Sequence, residues 1–218
     1  MYKCVKNSSV NTPYYTEVEM KCAILDHTKL ISLLNQEKFT HQGIKLYHDH
    51  YFTKAQSQHA ETSGHELRLR LDTTSDKLYL TEKKPLPNEM TKESNAALGQ
   101  SKLERESCIG TSKDLTKTIA SFEEKGFSLY THFYKKVKTY HTQMGDIKIE
   151  IALAQAKKTL TEINDTFEFV ELEIIDKGDN DRRTLEDQYR ILEQIKNEFK
   201  DSISEATDHT YTGALREV

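Results

Sequence analysis

The chain has 218 residues, enough for one sizeable domain or two small ones. Charged residues make up 30% of it and leave a net charge of -4, so it lacks the global basic field that draws in nucleic acid. Three scattered cysteines (Cys4, Cys22, Cys108) without a CxxC argue against a disulfide framework or cysteine zinc site; with no signal-peptide core and no apolar run near the ~20 residues of a spanning helix, a cytoplasmic protein with no membrane partner is expected.

Residues 14–25 read as the first strand. In YTEVEMKCAI, Glu17, Glu19 and Lys21 sit two apart, with Val18, Met20, Cys22 and Ile24 between them. The two sets therefore face opposite ways. Asp26 is a candidate N-cap for a helix in DHTKLISLLNQEKF, where Leu30, Leu33 and Leu34 recur at helical spacing. IKLYHDHYFT, HELRLRLD and KLYLTEKK alternate as strands; in HELRLRLD, Arg68 and Arg70 oppose Leu67, Leu69 and Leu71. Residues 84–101, with Pro85, Pro87, Asn88 and Gly99, read as a long mobile loop. SKLERESCI resumes as a strand. TSKDLTKTIASFEEKGF reads as a helix, with Leu115, Ile119 and Phe122 on one face and Gly126 as its stop. LYTHFYKKVKTYH, DIKIEIAL and FEFVELEII are three more alternating segments; AQAKKTLTEIND, between the last two, reads as a short helix or an inserted loop. An amphipathic helix is expected over 181–206, with Leu185, Leu192, Ile195, Phe199 and Ile203 near one stripe. No repeat or linker divides the chain, so 1–218 reads as a single domain.

A charged strand face is ordinarily the solvated side of a sheet. Here it recurs on nearly every strand, often as like charges two apart: Glu17 with Glu19, Arg68 with Arg70, Lys136 with Lys138, Glu171 with Glu173. Segregated acids and bases suit a ligand with both charges to offer, such as a polyphosphate with its divalent metal. A closed barrel would gather these faces around one lumen. His48 and His50 flank Asp49 and face the same way, a spacing that could hold zinc; without further clustered ligands they read as mouth or surface residues.

Taken in order, these segments resemble the CYTH, or triphosphate tunnel metalloenzyme, superfamily. EVEMK resembles its opening ExExK strand, HDHYF its D-x-Y-F strand, LRLR its L-R-hydrophobic-R strand and LTEKKP its L-T-x-K-G-P stretch. ERE, with Arg105 and Glu106, stands for its next basic-acidic strand, KVKTY for its K-x-R-x-x-Y strand, and IEIA followed by FVELE for its acidic strand and closing E-x-E. The resemblance implies an α+β fold: an eight-stranded antiparallel β-barrel, open as a tunnel, with helices packed outside. It implies a triphosphate in the lumen and catalysis with Mg²⁺ or Mn²⁺. By position, Glu17, Glu19, Glu171 and Glu173 would hold the metal, joined by Glu150. Lys21, Arg68, Lys83, Lys136 and Lys138 would grip phosphate, together with Arg70 and Arg105; Lys21, Lys83 and Lys136 are the catalytic candidates. Three departures bear on substrate choice: Lys138 stands where arginine is usual, Glu150 where aspartate is commoner, and Lys84 where glycine follows the strand lysine. Residues 86–101 and 154–166 are long insertions against the pattern.

EVEMKCAILDH, SKDLTKTIASFEEKGF and the C-terminal YTGALREV resemble the class IV adenylyl cyclase branch most closely, which implies conversion of ATP to cyclic AMP and pyrophosphate. The alternative is a tunnel triphosphatase acting on inorganic triphosphate, thiamine triphosphate or a nucleoside triphosphate. A non-catalytic nucleotide or polyphosphate binder is the third reading. Nucleic acid would enter only as an RNA 5′ triphosphate end, and the chain would act as a monomer or homodimer.

Overall fold

The computed structural model describes residues 13–54, 66–86, 100–158, 167–175 and 184–207. In chain order the elements are β1 (Tyr15–Ile24), α1 (His27–Leu34), β2 (Thr40–Lys54), β3 (Glu66–Asp72), β4 (Lys77–Pro85) and β5 (Gln100–Gly110). Then come α2 (Ser112–Glu124), β6 (Phe127–Met144), β7 (Ile147–Lys157), β8 (Phe167–Ile174), α3 (Leu185–Glu198) and β9 (Ile203–Ala206).

Local chemistry sets the helix ends. The Asp26 carboxylate accepts the Lys29 N–H at 2.9 Å and starts α1. Thr111 with Asp114 and Thr184 with Asp187 form capping boxes that start α2 and α3. Gly126, at φ +80°, follows α2 in the left-handed conformation that glycine adopts without strain, as its place in the sequence suggests.

Every strand pairing is antiparallel. The order is β5-β4-β3-β2-β6-β7-β8-β1-β9, and a further β5–β1 pairing closes the first eight strands into a barrel with β9 outside the ring. β1 closes it by changing partner halfway: Tyr15–Glu19 pair with β5, and Glu19–Ala23 with β8.

A closed wall has two faces. The outer face of β1, β7 and β8 (Val18, Met20, Cys22, Ile149, Ile151, Val170, Leu172) is buried under α1 and α3 through Leu30, Leu34, Tyr189, Leu192, Ile195 and Phe199. A second outer cluster, Phe52, Leu69, Leu71 and Leu78, lies under Leu115, Ile119 and Phe122 of α2. A third apolar cluster fills part of the interior, where Tyr51, Phe133, Val137, Ala154 and Phe169 pack together.

The helix expected over 181–206 is shorter than that. It ends at Glu198, and Ile203–Ala206 instead form β9 against Cys22 and Ile24 of β1. The turn is held because the Ser202 carbonyl accepts the N–H groups of both Leu25 and Asp26. Residues 181–183 lie outside the described residues, as do 87–99 of the expected loop, 159–166 of the second insertion and the YTGALREV segment. Cys22 is a free, buried thiol. Among the described residues no helix is long and apolar enough to cross a membrane.

Candidate active site

The lumen is lined by eight carboxylates and six cations, among them Glu17, Glu19, Lys21, Arg68, Arg70 and Lys83. Pleating places them there: in register, Glu19 lies beside Glu173 of β8, and Glu173 beside Glu150 of β7. Lys21 lies beside Glu171, and Glu171 beside Ala152. Side chains directly opposite on one face have Cβ atoms about 4.5–5.5 Å apart. Glu19, Glu173 and Glu150 therefore form a lateral row of three carboxylates.

The cations are held in a network of ion pairs. Lys83 Nζ donates to both oxygens of Glu17, at 2.8 and 2.6 Å, and reaches Glu104 at 2.8 Å. Lys21 sits between Glu19 (3.2 Å) and Glu171 (3.3 Å), and the other oxygen of Glu171 takes Lys135 at 2.8 Å. Arg70 forks onto Asp49 through two hydrogen bonds of 2.8 and 2.7 Å and lies over the Tyr47 ring. Tyr15 donates to Glu104 at 2.7 Å. Arg68 is 8% exposed; it donates to Thr81 at 3.2 Å, and its Nε has no hydrogen-bond partner. A buried guanidinium with an unused N–H is set up to receive an oxyanion.

Burial sets the protonation of these groups. It pushes the Glu17 carboxyl up to about 7, with Lys83 opposing and Glu104 and Glu19 reinforcing. Burial also works against the charge on Glu19, but Lys21, Lys83 and Lys135 hold its carboxyl below the ordinary range. Lys135 is shifted down because burial outweighs its attraction to Glu171.

Of the residues expected at the site, Glu17, Glu19, Lys21, Arg68, Arg70, Lys83, Glu150, Glu171 and Glu173 line the lumen. Three others do not. Lys136 and Lys138 lie in an outer pocket with Ile24, Ile31 and Ile44, and Lys138 sits over the Tyr140 ring. Arg105 faces out and pairs with Glu82 at 2.6 Å. The physical reason is the parity of the strands. Tyr140 is packed into the outer core and Phe133 into the interior, so β6 turns Lys135, Val137 and Thr139 inward and its even-numbered neighbours outward. On β5, Glu104 and Glu106 face in, and Arg105 between them must face out. Glu66, Lys102, Glu104, Glu106 and Lys135 are charged lumen residues outside the expected site set. In FYKKVKTY the aromatics at 133 and 140 have opposite parity, so the period-2 rule alone does not single out Lys135.

Among the described residues, no three His, Cys, Asp or Glu side chains already converge as a metal site. The donor set nonetheless fits a hard dication. The row of carboxylates offers oxygen ligands, and carboxylates exceed cations in the lumen.

No protein-family model and no curated protein sequence matches the chain. Solved structures do. The PH1819 protein of Pyrococcus horikoshii superposes with a TM-score of 0.66 at 20% identity, covering 92% of this chain and 98% of that one. An adenylate cyclase candidate from Vibrio parahaemolyticus gives 0.61 at 15%, covering 92% and 97%. A Hippeastrum adenylyl cyclase candidate with dominant triphosphatase activity gives 0.62 at 15%, covering 92% and 95%. At these identities the likeness speaks for architecture, and chemistry has to be argued from the site. The chain shares the architecture of these structures, a closed antiparallel β-barrel with helices packed outside.

Proposed function

We propose that the protein is a divalent-metal-dependent enzyme that cleaves a triphosphate bound inside the barrel. The observation that carries this reading is the buried mixture of charges. Lys83 and Arg68 are each 8% exposed on the inner face, a placement that a merely solvated sheet face would not produce. Glu19, Glu173 and Glu150 would hold Mg²⁺ or Mn²⁺, with Glu171 close by. When bound, the metal would neutralise phosphate oxygens and make the reacting phosphorus more electrophilic.

The chain's own residues supply the rest. Lys21, Arg68, Arg70, Lys83 and Lys135 grip the phosphate oxygens, and Lys102 stands beside Glu17 in register to extend the grip. Fixed cations aimed into a low-dielectric space favour charge that builds on the leaving oxygen. Entry of phosphate exchanges carboxylate partners for phosphate oxygens on Lys83 and Lys21. Glu17, released from Lys83, is then the proton acceptor nearest neutrality in its resting pKa. In hydrolysis, water attacks the terminal phosphorus, the phosphoanhydride P–O bond breaks, orthophosphate forms, and Glu17 takes the water's proton.

Hydrolysis is the reaction the lumen favours. The interior beyond the charges is filled by Tyr51, Phe133 and Phe169, side chains no more than 6% exposed, which supports a site made for phosphate rather than for a nucleobase. Cyclisation of ATP is the second reading, favoured by the resemblance to the class IV cyclase branch and by the likeness to the Vibrio adenylate cyclase candidate. The test is to incubate the protein with ATP and, separately, with inorganic triphosphate, each with Mg²⁺ or Mn²⁺, and resolve products by phosphorus NMR. Orthophosphate without cyclic product is expected, and chelation of the metal abolishes it. Cyclic AMP with pyrophosphate would replace hydrolysis by cyclisation. Metal-dependent binding without turnover of either would leave a non-catalytic polyphosphate binder.

A further inference from the structure

Outside the barrel, β2 and β6 carry a cluster that the lumen does not use. His48 and His50 project from the outer face of β2, and His132 of β6 stands directly opposite His50 in register. The His48 and His50 rings have centroids 4.0 Å apart, and the His132 ring lies 5.4 Å from His48 and 5.8 Å from His50. Tyr134 stacks on His48 at 4.2 Å. Nε2 of His48 and Nδ1 of His132 are 3.3 Å apart. His132 is exposed and His48 half-buried, so solvent reaches the pair. His50 is buried, and its Nδ1 has no hydrogen-bond partner.

We propose that this cluster binds a transition-metal dication of the zinc class, with His48 and His132 as the first two ligands and His50 as the third. The separation of the first pair is the main reason. Two nitrogens each about 2.0–2.1 Å from a tetrahedral zinc stand roughly 3.3–3.4 Å from one another. The pair therefore already has the bite of a zinc chelate. His50 completes it by a ring rotation, which also gives its unsatisfied nitrogen a partner; water takes the fourth position. Ligation needs neutral imidazole. The side chains opposite the cluster on β3 are Leu69 and Leu71, and Asp49, between the two histidines, turns into the barrel to hold Arg70. Imidazole donors select zinc, nickel and copper, whereas oxygen donors select magnesium and manganese. The outer site is thus chemically separate from the lumen and does not rest on the function proposed for it. Its effect would be to clasp β2 to β6 behind Asp49 and Lys135.

The test is to titrate tag-free protein with Zn²⁺ in excess Mg²⁺ by calorimetry, then record the Cu²⁺ electron paramagnetic resonance spectrum. One equivalent of Zn²⁺ should bind and raise the thermal midpoint. His132→Ala, at an exposed position, should weaken binding about tenfold or more, and His48→Gln should do the same. Glu19→Gln with Glu173→Gln, and His41→Ala, should leave it unchanged. The Cu²⁺ spectrum should show coupling to two or three imidazole nitrogens. Equal Zn²⁺ affinity in wild type and His132→Ala, no Zn²⁺ binding at all, or a spectrum without nitrogen coupling would each overturn the proposal. In that case the 3.3 Å contact is only a hydrogen bond between the two rings.

Discussion

The two faces of β1 share one backbone and do opposite things. Outward, Val18, Met20 and Cys22 are at most 1% exposed and lock the strand to α1 and α3. Inward, Glu17, Glu19 and Lys21 are also withdrawn from water, but they bring charge with them. Burying apolar groups stabilises the fold by roughly 25 cal/mol per Å². Burying ions costs desolvation that pairing only partly offsets. Stability and candidate chemistry are thus separated by residue parity along the same strand, and a substitution should act on one without the other.

The largest test of that separation is on the outer face. Phe199→Ala removes a ring that is 1% exposed and packs on Phe39. It should cost about 3–5 kcal/mol in denaturant unfolding and leave turnover nearly intact in the protein that remains folded. On the inner face, Glu19→Gln with Glu173→Gln should cut turnover of a triphosphate by about 10²–10³-fold. Its unfolding midpoint should fall far less than that of Phe199→Ala, since Lys21 keeps Glu171 as a partner; a joint loss of activity and stability as large as that at Phe199 would break the separation. Next, Lys135→Ala should lower kcat/KM about 10²-fold, while Lys136→Ala and Lys138→Ala stay within about twofold. Equal effects at 135 and 136 would mean that parity does not govern the site.

The smallest expected effect is a pH dependence of the ligand-free protein. The Glu17 carboxyl rises from an ordinary 4.5 to about 7 through burial, so the folded state holds this proton more tightly than the unfolded chain. Its contribution is fully present below pH 4.5 and is lost as pH rises to about 7. Glu17→Gln should flatten this slope in thermal midpoints read across that window.

Much of this was legible in the residues because alternation with period 2 is hard to disguise. Val18, Met20 and Cys22 leave Glu17, Glu19 and Lys21 a single face, and Leu67, Leu69 and Leu71 do the same for Arg68 and Arg70. The reading failed where charge is continuous. KKVK offers lysines of both parities, and ERE offers a base between two acids. Only the packing of Tyr140 and Phe133 on opposite faces decides which lysine enters the lumen. The end of α3 was obscured for a related reason. Ile203 continues the apolar stripe of the helix, so the stripe cannot show that the backbone has turned at Ser202 to pair with β1. The outer histidines were half legible, since His132 is far from His48 in sequence and only strand pairing brings it near.

β1 also has a history in time. It is the first described strand to be synthesised, yet its partners are β5, β8 and β9, and Glu19 waits for Glu173. Such distant pairings form slowly, because the intervening chain must be ordered before they give any return. During synthesis the strand bearing ExExK remains without its later neighbours until β8 and β9 emerge, with its apolar edge open to mispairing. The same closure completes the barrel and assembles its carboxylate row, so a nascent or C-terminally truncated chain should hold neither.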